Sequence, residues 1–197
     1  MSNSTLAHTR PTLADRVIPR SLVTDAALVL GGAAFTGILA QLAIPLWPVP
    51  ITGQTLAVLL VGSSLGMLRG ALAMVVYAVI GIIGVPWFSE GSSGVHIIAG
   101  PTGGYIIGFI AAAALTGWVA QRAWDHKFVG AFISFAGGTI VTFAIGMAWL
   151  AAVLGLNLQQ TLNGGLYPFI VGGIVKAVIA AALIPLAWKF VTRFAKK

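Results

Sequence analysis

PVPITGQT (Pro48 to Thr55) and GPTGGYIIGF (Gly100 to Phe109) bound the stretch that decides how this chain folds, with a single arginine, Arg69, between them. The stretch is punctuated by glycine and proline and sets polar groups between apolar runs. Apolar segments flank it on both sides. Of the 197 residues, 58% are hydrophobic and only 8% are charged, where an ordinary soluble domain is about a quarter charged. Water could not solvate a surface this apolar, so the solvent of the fold is lipid. Runs of roughly 17 to 25 apolar residues are the mark of a membrane helix, and the alternating segments of about ten residues that build a membrane β-barrel are missing. The composition therefore predicts an all-α integral membrane protein. With no cysteine there is no disulfide framework, thiolate nucleophile or Cys-based metal site. The net charge of +7 gathers at the ends of the apolar runs, which points to membrane topology rather than nucleic acid.

Residues 1–21 form a polar arm carrying Arg10, Arg16 and Arg20. It lacks the apolar core of a signal peptide and is expected to be an uncleaved cytoplasmic arm, with a short interfacial helix around Leu13 to Ile18. A membrane domain follows over residues 22–192, and a basic tail over 193–197. The spans are expected at Leu22 to Ile44, Gln54 to Leu68, Gly70 to Val85, Gly103 to Ala120, Phe128 to Leu154 and Leu166 to Phe190. The second is interrupted by Gly62, Ser63, Ser64 and Gly66. The third ends at Val85–Pro86, because the residue before proline avoids helix. Asp25 in the first turn of span 1 suits the positive end of the helix dipole. Trp47, Trp87, Trp118 and Trp188 are expected as interface anchors.

Six spans put Arg10, Arg16, Arg20, Arg69, Arg122, Lys127, Lys189, Arg193, Lys196 and Lys197 on one side. The loops 44–54, 86–102 and 155–165 on the other side hold no Lys or Arg. An odd count would scatter these charges. By the positive-inside rule both termini are cytoplasmic, in a multi-pass protein of the cell (inner) membrane.

The remaining cation is Lys176, about ten residues into span 6 and so about 15 Å deep at the helical rise. A charge there costs roughly 2.5 to 3.5 kcal/mol on insertion scales, and it needs a strongly accepting partner. Gly172 and Gly173, one turn outward, leave room above it. A ligand that brings its own acceptor fits this layout, and the alternative is a lysine bonded to backbone carbonyls. Thr52, Gln54 and Thr55 offer hydrogen-bonding groups where span 2 begins; Thr52 and Thr55 read equally as helix caps. GPTGGY lacks the Lys and Ser/Thr of a phosphate-binding loop and serves either a close approach to a ligand or a Gly-rich span entrance. No HExxH, GxSxG or nucleotide-binding motif occurs. No catalytic residue, metal or cofactor is expected, and ATP-driven work would come from another subunit.

Along AQLAIP (Ala40 to Pro45), PVPITGQT, LGMLRGALAMVVYAVIGIIGVPWF (Leu65 to Phe88) and GPTGGYIIGF the chain resembles the BioY family, the biotin-specific S components of energy-coupling factor (ECF) vitamin transporters. The resemblance covers roughly Ala33 to Gly117, with a weaker echo in span 6. It implies a six-helix membrane bundle of S-component type and capture of biotin from outside. The implied partners are a transmembrane coupling protein, ATP-binding-cassette ATPases and the lipid bilayer, with no nucleic acid. The ligand contacts expected are Lys176, Gln54, Thr52, Tyr105, Gly103, Gly104, Tyr77, Gly172 and Gly173, and the resemblance implies docking to the coupling protein through Ala33 and Gly37. The sixth span of the family typically reads Asp-x-x-Lys; here Lys176 is kept and the Asp position is Gly173. Other readings are an S component for another small vitamin, a self-sufficient carrier and, ranked last, a membrane enzyme.

Overall fold

The computed structural model describes residues 11–194, with only the backbone of Phe194. Arg10, Lys196 and Lys197, counted above for the arm and tail, lie outside the described residues. The described residues form nine α-helices, three 3-10 turns and one hairpin with two-residue strands. In order they are α1 (Leu13–Val17), α2 (Leu22–Ala40), β1 (Ala43–Ile44), β2 (Ile51–Thr52), α3 (Gln54–Leu65), α4 (Met67–Ile82), α5 (Val95–Ala99), α6 (Gly103–Ala120), α7 (Phe128–Leu154), α8 (Leu158–Gly165) and α9 (Ile170–Phe194). The bounds of α6 and α7 coincide with the expected spans 4 and 5. Among the described residues α2, α6, α7 and the run Leu158–Arg193 are long and apolar enough to cross a membrane, while α3 and α4 are apolar but shorter.

The first span ends earlier than expected, at Ala40. Pro45, Pro48 and Pro50 cannot continue a helix, and the chain instead pairs Ala43 with Thr52 and Ile44 with Ile51 in an antiparallel hairpin. The second span breaks once, at Gly66, whose φ of +86° ends α3 and starts α4 in a single residue. Gly62, Ser63 and Ser64 stay helical. Arg69, expected in a loop, is therefore in the first turn of α4. Span 6 is approached by a 3-10 turn (Tyr167–Phe169) before α9 begins. The loops expected on the outer side also carry helix: α5 lies before GPTGGY, and α8 is capped by Asn157, whose side chain accepts from the Gln160 N–H.

Helix α3 is the centre of the bundle and touches α2, α4, α6 and α9. Ala57, Val58, Leu59 and Val61 are buried there. A helix wrapped by neighbours has no need to match the lipid thickness, which accounts for its twelve residues. Small residues set the spacing: a Cβ on Gly62 would stand 2.6 Å from the carbonyl oxygen of Ala113 on α6. Close backbone approach of this kind is how helices associate in lipid, where apolar burial alone does not drive them together.

One end of the bundle is held by charge. Arg69 donates to Asp15 at 2.7 Å, to Asp25 at 2.9 Å and to the Thr12 hydroxyl at 3.0 Å. Asp15 also accepts from Arg20. Asp25 thus sits in the first turn of α2 as expected and also pairs with Arg69. Helix α1 is strapped onto the bundle by these bonds. Burial would raise the Asp15 carboxyl, but hydrogen bonds from Arg20, Thr12 and Arg69 outweigh it and hold it well below the usual carboxylate range. At the same end, in the turn before α7, Asp125 is fully buried and accepts from Ser63 at 2.5 Å. Burial pushes this carboxyl up, and Ser63 and His126 only partly oppose it. Trp188, expected as an interface anchor, is instead buried beside His126, with ring centroids 4.0 Å apart. Trp47 and Trp118 are exposed, in keeping with an interface position.

Candidate functional site

At the hairpin end, the opposite end of α2 from Arg69, lies a cavity of about 380 Å³. That is within the range of small-molecule sites. Four parts of the chain converge on it: the hairpin with the start of α3, the loop after α4, the entrance to α6, and α7 with α9. Antiparallel pairing in the hairpin turns Thr52 back under the start of α3, which places Thr52, Gln54 and Thr55 together. Lys176, about two turns into α9, reaches them and donates to the carbonyl of Thr52 at 2.5 Å and the hydroxyl of Thr55 at 3.1 Å.

A relay of hydrogen bonds starts from the Thr52 side chain beside them. The Thr52 hydroxyl donates to Gln54 Oε1 at 2.7 Å, Gln54 Nε2 donates to the Tyr77 hydroxyl at 2.6 Å, and Tyr77 donates to the Trp87 carbonyl at 3.3 Å. Trp87 returns a bond from Nε1 to the Tyr77 carbonyl. The relay holds Gln54, which is 6% exposed, in a single orientation, as a buried amide requires. Across the cavity Tyr105, Phe143 and Phe169 form an aromatic wall with centroid separations of 5.5 to 6.5 Å. Tyr105 is fixed by its hydroxyl bond to the Gly165 carbonyl at 2.9 Å. The arrangement suits a ligand with an apolar body against the rings and a polar head toward Lys176.

Of the residues named from sequence, Lys176, Gln54, Thr52, Tyr105 and Gly173 line the cavity. Tyr77 stands behind Gln54 as its support. Gly103, Gly104 and Gly172 are not on the wall. A Cβ on Gly103 would collide with the Ile98 carbonyl and one on Gly104 with Trp149, so both glycines serve the chain's own packing. Gly172 meets only Ile51, at 3.9 Å from an added Cβ. Ala33 and Gly37 are corrected as a docking face. Ala33 is 0% exposed, and Gly37 packs under Trp87 with 2.9 Å to an added Cβ. The small residues that α2 leaves uncovered are Ala26, Ala27, Gly31 and Ala34, and Ala27, Gly31 and Ala34 follow one another at helical spacing. Sequence reasoning missed Phe143, Phe169, Ser89 and Glu90, all on the wall. The two phenylalanines carry no signal that separates them from other apolar span residues.

A helical bundle in lipid with a small-molecule cavity at one end, walled by aromatic rings and floored by a held lysine, defines a membrane receptor or transport subunit. The pattern of the BioY family matches residues 7–193, and the chain belongs to that family. It is 38% identical over 154 residues to the biotin transporter BioY of Rhizobium etli, covering 75% of this chain and 82% of that one. It is 36% identical over 152 residues to the biotin transporter BioY2 of Lactococcus lactis subsp. cremoris, covering 77% and 83%. Among solved structures it matches the S-component for biotin from an ECF-type ABC transporter, with a TM-score of 0.77 and 26% identity over 85% of this chain and 92% of that one. The fold is an all-α membrane bundle of the S-component type.

Proposed function

We propose that this chain is the biotin-binding subunit of an ECF-type vitamin transporter, capturing biotin in the cavity at the hairpin end. The observation that carries the reading is the meeting of Lys176 with Thr52, Gln54 and Thr55 beneath an aromatic wall in a member of the BioY family. Biotin has a cyclic urea, an apolar bicycle and a valerate carboxylate. Lys176 would donate to the urea oxygen or to the carboxylate, and the bicycle would rest on Tyr105, Phe143 and Phe169. The reading takes α2, α3, α4, α6, α7 and α9 as six membrane spans, with both termini in the cytoplasm and the cavity facing outward. Support comes from the side on which Lys and Arg gather.

The chain holds no nucleotide-binding motif, so transport would be energised by ATP-binding-cassette ATPases through a membrane coupling protein. The uncovered small face of α2, at Ala27, Gly31 and Ala34, is the surface offered to that partner. An added Cβ on Gly31 meets nothing within 4 Å. The test is titration of the detergent-solubilised protein with biotin, read by tryptophan fluorescence or heat. Saturable binding below about a micromolar, on the order of −8 kcal/mol or better, is expected. Absence of binding by folded protein would overturn the reading. Lys176→Ala should weaken binding several-fold or more, and unchanged affinity would remove Lys176 from the site.

A further inference from the structure

Hydrogen-bonding capacity around the cavity is unevenly engaged. On the floor Lys176 is held by Thr52 and Thr55, the Thr52 hydroxyl by Gln54, and the Gln54 amide by Tyr77. On the walls the hydroxyls of Tyr105, Thr102 and Ser92 all donate to backbone carbonyls. Two neighbouring side chains in the loop after α4 differ. The Ser89 hydroxyl is buried and bonds to nothing among the described residues. Glu90, an exposed residue, is the one carboxylate on the cavity wall, and no described residue bonds or pairs with it. Buried polar groups are nearly always bonded, so an orphan hydroxyl on a cavity wall marks a place where a ligand completes the set.

The loop is built to hold this pair in place. Phe88 N–H donates to the Ser92 carbonyl at 3.0 Å and Ser92 N–H to the Ser89 carbonyl at 3.2 Å. Gln41, at the end of α2, clasps the loop from outside. Its amide nitrogen donates to the carbonyls of Trp87 and Phe88, and its oxygen accepts from Gly91 N–H at 3.0 Å. Beneath it Phe88 is 1% exposed. Glu90 is held at φ 58° and ψ 33°, a left-handed conformation that glycine would adopt more easily. A charged residue kept in such a conformation beside a cavity points to a role for its side chain.

We infer that Ser89 and Glu90 determine ligand specificity: they accept the N–H donors of the bound molecule while Lys176 donates to its acceptor. The inference rests on the biotin reading and names the groups that recognise the urea nitrogens. It also supplies a carboxylate to a site whose ninth helix has Gly173 facing the cavity.

The experiment titrates wild type, Glu90→Gln, Ser89→Ala and Glu90→Gly with biotin and with its carbamate analogue, in which one ring N–H is replaced by oxygen. Wild type should prefer biotin strongly. Glu90→Gln should weaken biotin binding by roughly tenfold or more, since a charge-assisted bond is lost, and narrow the preference over the carbamate by a similar factor. Ser89→Ala should weaken biotin several-fold. Glu90→Gly should show the same loss as Glu90→Gln while its thermal midpoint holds or rises, because glycine relieves the backbone. An unchanged biotin affinity in Glu90→Gln, or an unchanged preference ratio, overturns the inference and leaves the biotin reading standing. A wild type that binds no biotin overturns the biotin reading, and this inference with it.

Discussion

Lys176 shows how a membrane protein keeps a cation where lipid would expel it. Two of the three N–H donors of its ammonium go to Thr52 and Thr55, so the chain itself meets most of its need. The structure displays the lysine bonded to backbone that the sequence offered as the alternative, and the ligand-seeking reading belongs to the proposed biotin site. Gly173 is the position to probe next. An added Cβ there meets only Thr139 Cγ2, at 3.7 Å, so a larger side chain fits. If Glu90 supplies the acceptor for the urea N–H, Gly173→Asp should change wild-type affinity little but recover much of what Glu90→Gln loses. Titration of the two singles and the double measures this coupling, and additive effects would argue against a shared role. Lys176 stood out in the sequence because a charge inside an apolar run is conspicuous. Glu90 did not, because an acid in a polar loop is ordinary until the fold curls that loop over the cavity.

At the level of elements, legibility followed length. Helices α6 and α7 were read to their end residues because long apolar runs meet abrupt stops. Helix α5 has five residues and α8 eight, too short for a periodic signal, and both were hidden in loops. The hairpin was hidden for another reason: its strands have two residues each, and its function lies in the pairing partner rather than in any local pattern. The turn before α7 carries a prediction of its own. Asp125 has its carboxyl raised by burial, so the folded state favours its protonated form. Its contribution to stability is greatest below the unfolded value near 3.8 and declines as pH rises from there toward the folded value. Asp125→Asn keeps an oxygen for Ser63 and should raise the thermal midpoint at pH 7, with the gain shrinking toward pH 4. Asp15 runs the other way: its lowered value contributes stability above about 3.8, which is lost as pH falls further. A midpoint for Asp125→Asn that is lower than wild type at pH 7 would mean that its charge is stabilising after all.

Across the whole molecule, the membrane class could be read from composition alone, and the order of the long spans from glycine, proline and charge. The cavity could not, because its walls come from segments far apart in the chain and meet only through tertiary packing. The proposed orientation has a direct test, since the chain has no cysteine to remove. A single cysteine at Trp47, exposed at the hairpin tip, should react with a membrane-impermeant maleimide added to intact cells. One at exposed Arg122, beyond the end of α6, should react only after the membrane is opened. The reverse pattern would invert the protein and place its cavity on the inside.

The apolar centre of α3 has an electrical consequence. Proton movement along a protein needs an unbroken row of groups that can exchange hydrogen bonds. The row at the cavity floor runs from the Thr52 hydroxyl through Gln54 and Tyr77 to the Trp87 carbonyl. Between it and the Ser63–Asp125 pair at the other end stand the buried side chains of Ala57, Val58, Leu59 and Val61. The chain by itself should be an insulator: liposomes containing it should hold an imposed pH difference as long as empty ones, with or without biotin.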